Sequence, residues 1–107
     1  MARPLADSDV FHAIADPTRR AILDRLQAGP APVNSLADGF PQSRPAISKH
    51  LRILKEAGIV SEQRQGRERV YRLHPDRLAE VADWLLRYRD FWQTSLNRLK
   101  HRLEEES

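Results

Sequence analysis

The chain has 107 residues, of which 40% are hydrophobic and 31% are charged, and its formal net charge is +3. This length suffices for one small domain with a modest core. The absence of cysteine excludes disulfides and thiolate metal sites, and the sequence shows neither a membrane-spanning apolar run nor a signal-peptide pattern. We therefore expect a cytoplasmic protein with no membrane partner.

Positive charge is concentrated in one part of the chain. Residues 42–72 hold eight basic and three acidic residues, a net charge of +5, whereas the remainder carries −2. This distribution is typical of a nucleic-acid binder. No Ser-His-Asp, Cys-His or clustered carboxylate arrangement is readable, and there is no glycine-rich phosphate loop, so the sequence does not predict an enzyme.

Two short helices are predicted at the start of the chain. We expect residues 1–7 to form a flexible arm and Ser8 to cap a first helix that runs to Ala15. Asp16-Pro17 marks the start of a second helix, with Asp as the N-cap and Pro in the first turn, and Gly29-Pro30 ends it. The residues expected to face inward are Val10, Phe11, Ile14, Ile22, Leu23 and Leu26. The residues expected to face outward are Arg19, Arg20, Asp24 and Arg25.

A helix-turn-helix is predicted next. The proline-rich link at residues 30–32 leads to a short helix over residues 33–39, and a tight turn at 40–42 leads to the following helix. In a helix-turn-helix the second helix lies in the reading position on DNA. The alternative is an ordinary helical hairpin, which would not require a basic outer face on its second helix.

The helix over residues 43–58 has a defined start, a defined end and two unlike faces. Ser43 is a suitable N-cap, and Gly58 suits a left-handed C-terminal cap. The apolar stripe, bordered by His50, consists of Ile47, Leu51 and Leu54. The opposite side carries Arg44, Ser48, Lys49 and Arg52. A short helix with an apolar back and a basic front suits a DNA major groove, and the alternative is a face that is merely solvated.

After Gly58 the hydrophobic period changes from helical to two, which predicts short strands over residues 59–65 and 68–73. Gly66 supplies the positive φ that the turn between them requires. The arginines near the hairpin tip are Arg64, Arg67 and Arg69. An isolated hairpin of this kind would simply be exposed. Directly after a helix-turn-helix it predicts the wing of a winged helix, whose arginines reach phosphates or the minor groove.

The last predicted element is one long helix. Nothing between Pro75 and Glu105 breaks a helix, which would span roughly 45 Å. Its apolar surface is too broad for so small a domain to cover, so we predict a dimerisation helix. The alternative is a core helix with a frayed tail. The predicted fold class is mainly α with a small β-hairpin. We expect a single domain, with a winged helix-turn-helix core over residues 8–73 and a C-terminal dimerisation helix over residues 75–105.

Three linked segments resemble the ArsR/SmtB family of winged-helix repressors. They are residues 15–23 (ADPTRRAIL), 43–60 (SRPAISKHLRILKEAGIV) and 66–73 (GRERVYRL). The similarity extends over about residues 8–80, and three motifs in this order are far more specific than any one of them. The resemblance implies a homodimer, built on the first and last helices, that binds operator DNA with inverted repeats and blocks transcription.

The resemblance also implies which residues contact DNA and the partner protomer. The residues matching the DNA-reading helix are Ser43, Arg44, Ser48, Lys49 and His50, and those matching the wing are Arg64, Arg67 and Arg69. We expect Arg44 to contact guanine, whose O6 and N7 fit the guanidinium fork, and Arg52 to neutralise phosphate. The expected dimer interface comprises Val10, Phe11, Leu85, Trp92, Leu96 and Leu99.

The chain departs from the family's metal-sensing members. Those members carry a cysteine pair on the helix before the reading helix, where this chain has Pro32 and Asn34. A second family metal site uses Asp and His on the last helix, which here offers only one histidine, His101. We therefore expect neither a metal nor a cofactor. The aromatic last helix resembles the metal-independent, SdpR-like autorepressor branch.

The sequence thus predicts a homodimeric, sequence-specific DNA-binding transcriptional repressor. One alternative is a dimeric protein-interaction module whose winged helix no longer reads DNA and therefore shows no salt-dependent DNA binding. Another is an effector-responsive repressor that holds a small molecule near Trp84, Tyr88 and Phe91 at the dimer interface.

Overall fold

The structure is a computed structural model that describes residues 9–106, so the predicted arm and the predicted cap Ser8 lie outside the described residues. The described chain is mainly helical with one small sheet, as predicted. Its elements are α1 (Val10–Ile14), α2 (Pro17–Gln27), β1 (Ala31–Pro32), α3 (Val33–Asp38), α4 (Arg44–Glu56), β2 (Val60–Gln65), β3 (Glu68–Leu73), a 3-10 helix (Pro75–Leu78), α5 (Ala79–Leu86) and α6 (Arg89–Glu106).

The first two helices each begin at an aspartate. Asp9 caps α1, because its carboxylate accepts a hydrogen bond from the backbone N–H of Phe11 at 2.9 Å. Asp16 caps α2 as predicted, accepting from the backbone N–H of Arg19 at 3.0 Å, and Pro17 occupies the first turn. These side chains satisfy N–H groups that a helix start leaves without a partner.

The proline-rich link contains a strand that the sequence pattern did not predict. β1 pairs antiparallel with β3, with Ala31 opposite Tyr71 and Pro32 opposite Val70. The sheet therefore has three strands in the order β1-β3-β2. Two residues are too few to show an alternating pattern, and proline is tolerated on an edge strand.

Gly58, which follows helix α4, has the predicted left-handed conformation. Gly58 has a φ of +79°, and its N–H donates to the carbonyl of Lys55 at 2.9 Å. The N–H of Ile59 reaches further back, to the carbonyl of Leu54 at 3.1 Å. This pair of bonds is the Schellman arrangement, which satisfies the last carbonyls of a helix and turns the chain sharply into the next element.

The wing matches its prediction closely. Strands β2 and β3 pair antiparallel from Val60 opposite Leu73 to Gln65 opposite Glu68, which leaves a two-residue turn between them. Gly66, the first residue of that turn, has a φ of +64°. A positive φ at the first turn position matches the right-handed twist of the strands, and glycine adopts it without steric cost.

The prediction of one uninterrupted C-terminal helix is wrong. The segment starts as a 3-10 helix, continues as α5, turns at residues 87–88 and continues as α6. At the turn, the N–H groups of Arg87 and Tyr88 donate to carbonyls three residues earlier, those of Trp84 and Leu85. This tighter bonding interrupts the α-helical ladder where no proline or glycine marks a break. Among residues 9–106, no helix combines the length and apolar character needed to cross a bilayer.

The first four helices and the sheet enclose one hydrophobic core. All the fully inward positions of α4 are in it: Ile47, Leu51 and Leu54 are each 0% exposed. The other buried apolar residues are Val10, Ala13, Ile22, Leu23, Leu26, Ala31, Leu36, Ala57, Ile59, Val60 and Tyr71. The core therefore holds α4 against α1, α2 and α3 along its whole apolar stripe.

The prediction that Arg19 faces outward is wrong. Its side chain is buried, with 7% of the residue exposed. Its Nε donates to the carbonyl of Ala13 at 2.7 Å, and its Nη2 donates to the carbonyl of His12 at 3.1 Å. The fold brings the end of α1 over the first turn of α2, a tertiary approach that helical periodicity within α2 does not reveal.

We expect the substitution Gly58→Ala to destabilise the protein by about 1–3 kcal/mol, the usual cost of a left-handed non-glycine residue. An added Cβ would also lie 3.0 Å from the Nε of Arg77, which donates to the carbonyl of Ala57. Gly39→Ala is the matched control, because Gly39 has a φ of −85° and its nearest atom to a Cβ is 3.7 Å away. Urea unfolding followed by circular dichroism at equal protein concentration measures both, and equal midpoints would contradict the prediction.

Candidate nucleic-acid interface

Helix α4 presents its predicted basic side to solvent. The apolar side is fully buried in the core, and the exposed side carries Arg44, Ser48, Lys49 and Arg52. Ser43 caps the helix, its Oγ accepting a hydrogen bond from the N–H of Ala46 at 3.3 Å. The helix cannot rotate about its axis without exposing buried leucine and isoleucine, so the core fixes which side chains face outward.

A concave surface of about 530 Å³ lies between α4 and the wing. Three predicted residues of α4 line it, Ser48, Lys49 and Arg52, and Arg69 of the wing lines it from the other side. Lys55 also lines it and is absent from the predicted set, although its position on the basic flank of the same helix could have indicated it. We call this surface the basic groove.

A second concavity adjoins the basic groove. Its volume is about 290 Å³, and Arg44, Arg67 and Arg69 line it together with Asn34 of α3. Arg69 and Val33 line both concavities, so the two form one continuous surface. Six predicted residues therefore lie on one side of the molecule. Four belong to α4, Arg67 belongs to the turn before β3, and Arg69 belongs to β3.

Two of the predicted residues lie apart from this surface. Arg64 is exposed on β2, directly opposite Arg69 in the strand register, but lines neither concavity. Ser43 is exposed at the start of α4 with its hydroxyl engaged as the cap. Its backbone and hydroxyl therefore set the direction of the helix start.

His50 does not face the basic groove. Its Nδ1 lies 3.2 Å from the Nη1 of Arg19 and 3.9 Å from the Oδ2 of Asp16, and its side chain is only 20% exposed. The imidazole therefore packs on the flank of α4 that contacts α2. This agrees with its predicted position at the border of the apolar stripe, and the DNA contact that the resemblance implies for His50 stays a prediction.

An acidic side chain, Glu62, lies inside the basic groove, and the sequence interpretation missed it. Its Oε2 accepts a 2.6 Å hydrogen bond from the hydroxyl of Tyr71, and its Oε1 is 3.5 Å from the Nζ of Lys55. The hydrogen bond from the Tyr71 hydroxyl is the main reason that the pKa of Glu62 is lowered. The positive charges of Lys55 and Arg69 lower this pKa further, whereas burial raises it by less than the Tyr71 bond lowers it. Because Glu62 stands opposite Tyr71 in the hairpin register, correct strand pairing would have revealed the contact.

The predicted dimer residues divide into buried and exposed groups. Val10 is 1% exposed and belongs to the core of its own chain, so it has no surface left for a partner. Phe11 is half-buried and packs edge-on against Trp84, with ring centroids 5.8 Å apart. The remaining four are exposed on α5 and α6: Leu85 at 37%, Trp92 at 44%, Leu96 at 59% and Leu99 at 53%.

The aromatic residues considered for an effector site form a chain of edge contacts. Trp84 stacks edge-on with Phe11 on one side and with Tyr88 on the other, where the centroids are 5.3 Å apart. Phe91 stands outside this chain and is 68% exposed. Among residues 9–106, no three histidine, aspartate or glutamate side chains are grouped so that they could hold a metal ion.

A helix-turn-helix followed by a two-stranded wing, with arginines and lysines of both elements on one surface, defines a winged helix-turn-helix DNA-binding protein. A family model described as a helix-turn-helix domain matches residues 14–63. The HTH-type transcriptional regulator Rv2034 of Mycobacterium tuberculosis is 43% identical over 90% of this chain and 87% of its own length. The transcriptional repressor SdpR of Bacillus subtilis is 42% identical over 76% of this chain and 90% of its own length.

Solved structures agree with these relatives. A crystal structure of an ArsR family transcriptional regulator superposes with a TM-score of 0.69 at 38% identity, covering 78% of this chain and 91% of that one. The homodimeric winged helix-turn-helix domain of a possible ArsR-family regulator from Mycobacterium bovis gives 0.59 at 28% identity, covering 73% and 72%. The chain belongs to the ArsR/SmtB family of winged helix-turn-helix transcriptional regulators, and its similarity to SdpR fits the predicted branch.

We expect the substitution Tyr71→Phe to destabilise the protein at neutral pH by about 1–3 kcal/mol, because the charged acceptor Glu62 loses the hydroxyl that donates to its Oε2. Burial and then the bond to Glu62 raise the pKa of Tyr71 to about 12. Because the pKa of Tyr71 is raised on folding, its contribution to the free energy of unfolding is complete below the pKa of an unfolded tyrosine, near 10. That contribution is lost as the pH rises towards 12. Because the pKa of Glu62 is lowered on folding, the contribution of Glu62 is instead lost in acid.

The measurement is the free energy of unfolding as a function of pH for the wild type, Tyr71→Phe and the control Tyr88→Phe. Tyr88 is 45% exposed and retains its ring contact in the control. The free energy of unfolding of Tyr71→Phe should change less with pH, in both acid and alkali, than that of Tyr88→Phe. Superimposable profiles for the two variants would show that the Tyr71–Glu62 bond does not stabilise the fold.

Proposed function

We propose that this protein is a homodimeric, sequence-specific transcriptional repressor that acts in the cytoplasm on an inverted-repeat operator. The observation that carries the proposal is the continuous surface formed by the front of α4 and the wing. Its arginines and lysines are exposed, whereas the opposite side of α4 is 0% exposed at three positions. The relatives named as a regulator and as a repressor support the same assignment.

The dimensions of the surface suit B-DNA. An α-helix with its side chains is about 10–12 Å across, and the major groove is about 12 Å wide. With α4 in the groove, Arg44 at its first turn is the residue best suited to guanine O6 and N7. Arg67 and Arg69, which share a concavity with Arg44, then lie beside the groove and neutralise phosphates.

The one carboxylate among the described residues that line the basic groove is Glu62, and it has partners within the protein. Glu62 is bound to Tyr71 and paired with Lys55, so part of its negative charge is compensated within the protein. Three further cationic side chains line the same groove, Lys49, Arg52 and Arg69. The groove therefore retains a net positive charge, which favours phosphate binding and makes affinity fall with salt.

The second copy is proposed to cover the C-terminal helices. Among the described residues, every large exposed hydrophobic side chain lies on the segment from Trp84 to Leu103. On α6, Trp92, Leu96, Leu99 and Leu103 alternate spacings of four and three residues, the pattern of a two-stranded helical seam. Two copies joined there would present two reading helices about 34 Å apart, one turn of DNA.

Selection of bound sites from random DNA with the purified protein should yield an inverted repeat. On that site, we expect Arg44→Ala to cost about 1–3 kcal/mol of binding free energy and to relax the choice of base at one position in each half-site. Arg67→Ala should weaken selected and random duplexes alike, and it should reduce the salt slope by about one for each phosphate that the arginine neutralises. Fluorescence anisotropy over a salt series measures both effects.

The matched control is Arg98→Ala, which removes the same charge from the exposed side of α6. It should leave both the affinity and the salt slope unchanged. Equal losses on selected and random DNA for Arg44→Ala would remove that residue from base reading. A wild-type protein that binds duplexes no better at low salt than at high salt would instead support the dimeric protein-interaction module.

We expect the double substitution Leu96→Glu and Leu99→Glu to convert the dimer into a monomer, because buried charges in a helical seam are not paired. The core of residues 10–71 does not include these positions, so the variant should retain its folded winged helix. Thr94→Glu on the opposite side of α6 is the control and should stay dimeric. Analytical ultracentrifugation distinguishes the two, and a monomeric wild type or a dimeric double variant would contradict the proposal.

A further inference from the structure

Arg19 is the one charged residue that is buried among residues 9–106, and the proposed reading of DNA does not use it. Its guanidinium makes contacts with three separate positions: the carbonyls of Ala13 and His12 and the imidazole of His50. The first two belong to α1, and the third belongs to the reading helix α4. The backbone N–H of Arg19 is bound to Asp16, so the residue also closes the first turn of α2.

The chemistry of these contacts determines the state of His50. A guanidinium only donates hydrogen bonds, so at 3.2 Å the Nδ1 of His50 must be the acceptor. The bond to Arg19 fits the tautomer that carries its proton on Nε2. A protonated imidazole has no acceptor, and it would be repelled by Arg19 and drawn towards the Oδ2 of Asp16, now 3.9 Å away.

We propose that Arg19 is a positioning residue that fixes the angle between α1 and the reading helix through its bond to His50. This inference rests on the proposed function. In the proposed dimer, α1 lies next to the shared surface because Phe11 packs against Trp84. The angle between α1 and α4 then sets the separation of the two reading helices, and hence the spacing of half-sites that the dimer prefers.

The groups that face His50 from neighbouring elements identify what the contact responds to. Arg19 and Asp16, both at the start of α2, are the charged partners, and α1 contributes the carbonyls that hold the guanidinium in place. Removing the Nδ1 acceptor by substitution breaks the bond to Arg19 while leaving the two bonds to α1 intact. Spacing preference should therefore weaken when this acceptor is removed.

The test uses the full-length dimer and operators whose half-sites are separated by the selected spacer or by one base pair more or less. We expect Arg19→Lys and His50→Leu to lower affinity for the selected spacing about tenfold, the scale of one net hydrogen bond per protomer. Affinity for the altered spacings should change much less. A residue that merely stabilised the fold would leave a folded variant with the wild-type preference for spacing.

His50→Asn serves as the rescuing variant, because its amide oxygen can accept from Arg19 in place of Nδ1. His50→Asn should keep the wild-type spacing preference that His50→Leu loses. The control His101→Asn, changed at a residue whose side chain is 72% exposed, should also keep it.

The outcomes separate this inference from the proposed function. If the wild type binds DNA, and Arg19→Lys and His50→Leu keep the wild-type spacing preference, the positioning role is overturned. The proposal that the protein binds DNA would then still stand. The same conclusion follows if His50→Asn and His50→Leu have identical spacing preferences. If Arg19→Lys does not fold, the His50 variants alone decide the matter, and a wild type that binds no DNA would overturn both proposals.

Discussion

The burial of one side of α4 is the constraint on which the rest of the structure depends. Ile47, Leu51 and Leu54 are each fully buried, and each such side chain is worth about 1.5–3 kcal/mol relative to an exposed one. Rotating the helix to present another side would forfeit that free energy. The Ser43 cap and the Gly58 turn fix its two ends. A surface that is chemically suited to DNA is therefore held in place by contacts that never meet DNA.

The polar groups behind that surface serve the same purpose. Tyr71 and Lys55 hold the carboxylate of Glu62, so the acid within the basic groove has partners inside the protein. Arg19 joins the end of α1 to the flank of α4. A buried charge is costly unless its donors are satisfied, and three acceptors surround this guanidinium. These directional bonds therefore add to the apolar packing that holds α1 against α4.

Local signals in the sequence predicted the parts of the fold that are locally determined. Asp16-Pro17, Gly58 and Gly66 each impose a backbone conformation, and each appears where predicted. The errors concern tertiary relations. Arg19 is buried because α1 lies across it, although its helical position is also compatible with exposure. Val10 faces inward as predicted, and at 1% exposed it has no surface for the dimer interface to which it was also assigned. The break after α5 follows from hydrogen bonds to carbonyls three residues earlier, and no residue type marks it.

The distribution of apolar residues divides the chain into two parts with different requirements. Every buried apolar side chain of the described residues lies between Val10 and Tyr71, and every large exposed one lies beyond Asp83. The winged helix therefore completes its core within one chain, whereas α5 and α6 leave large apolar side chains exposed. In the proposed dimer, association is then not a condition for folding the reading helix. It would instead join two half-site contacts, whose combined affinity exceeds that of either one and falls as the protein is diluted.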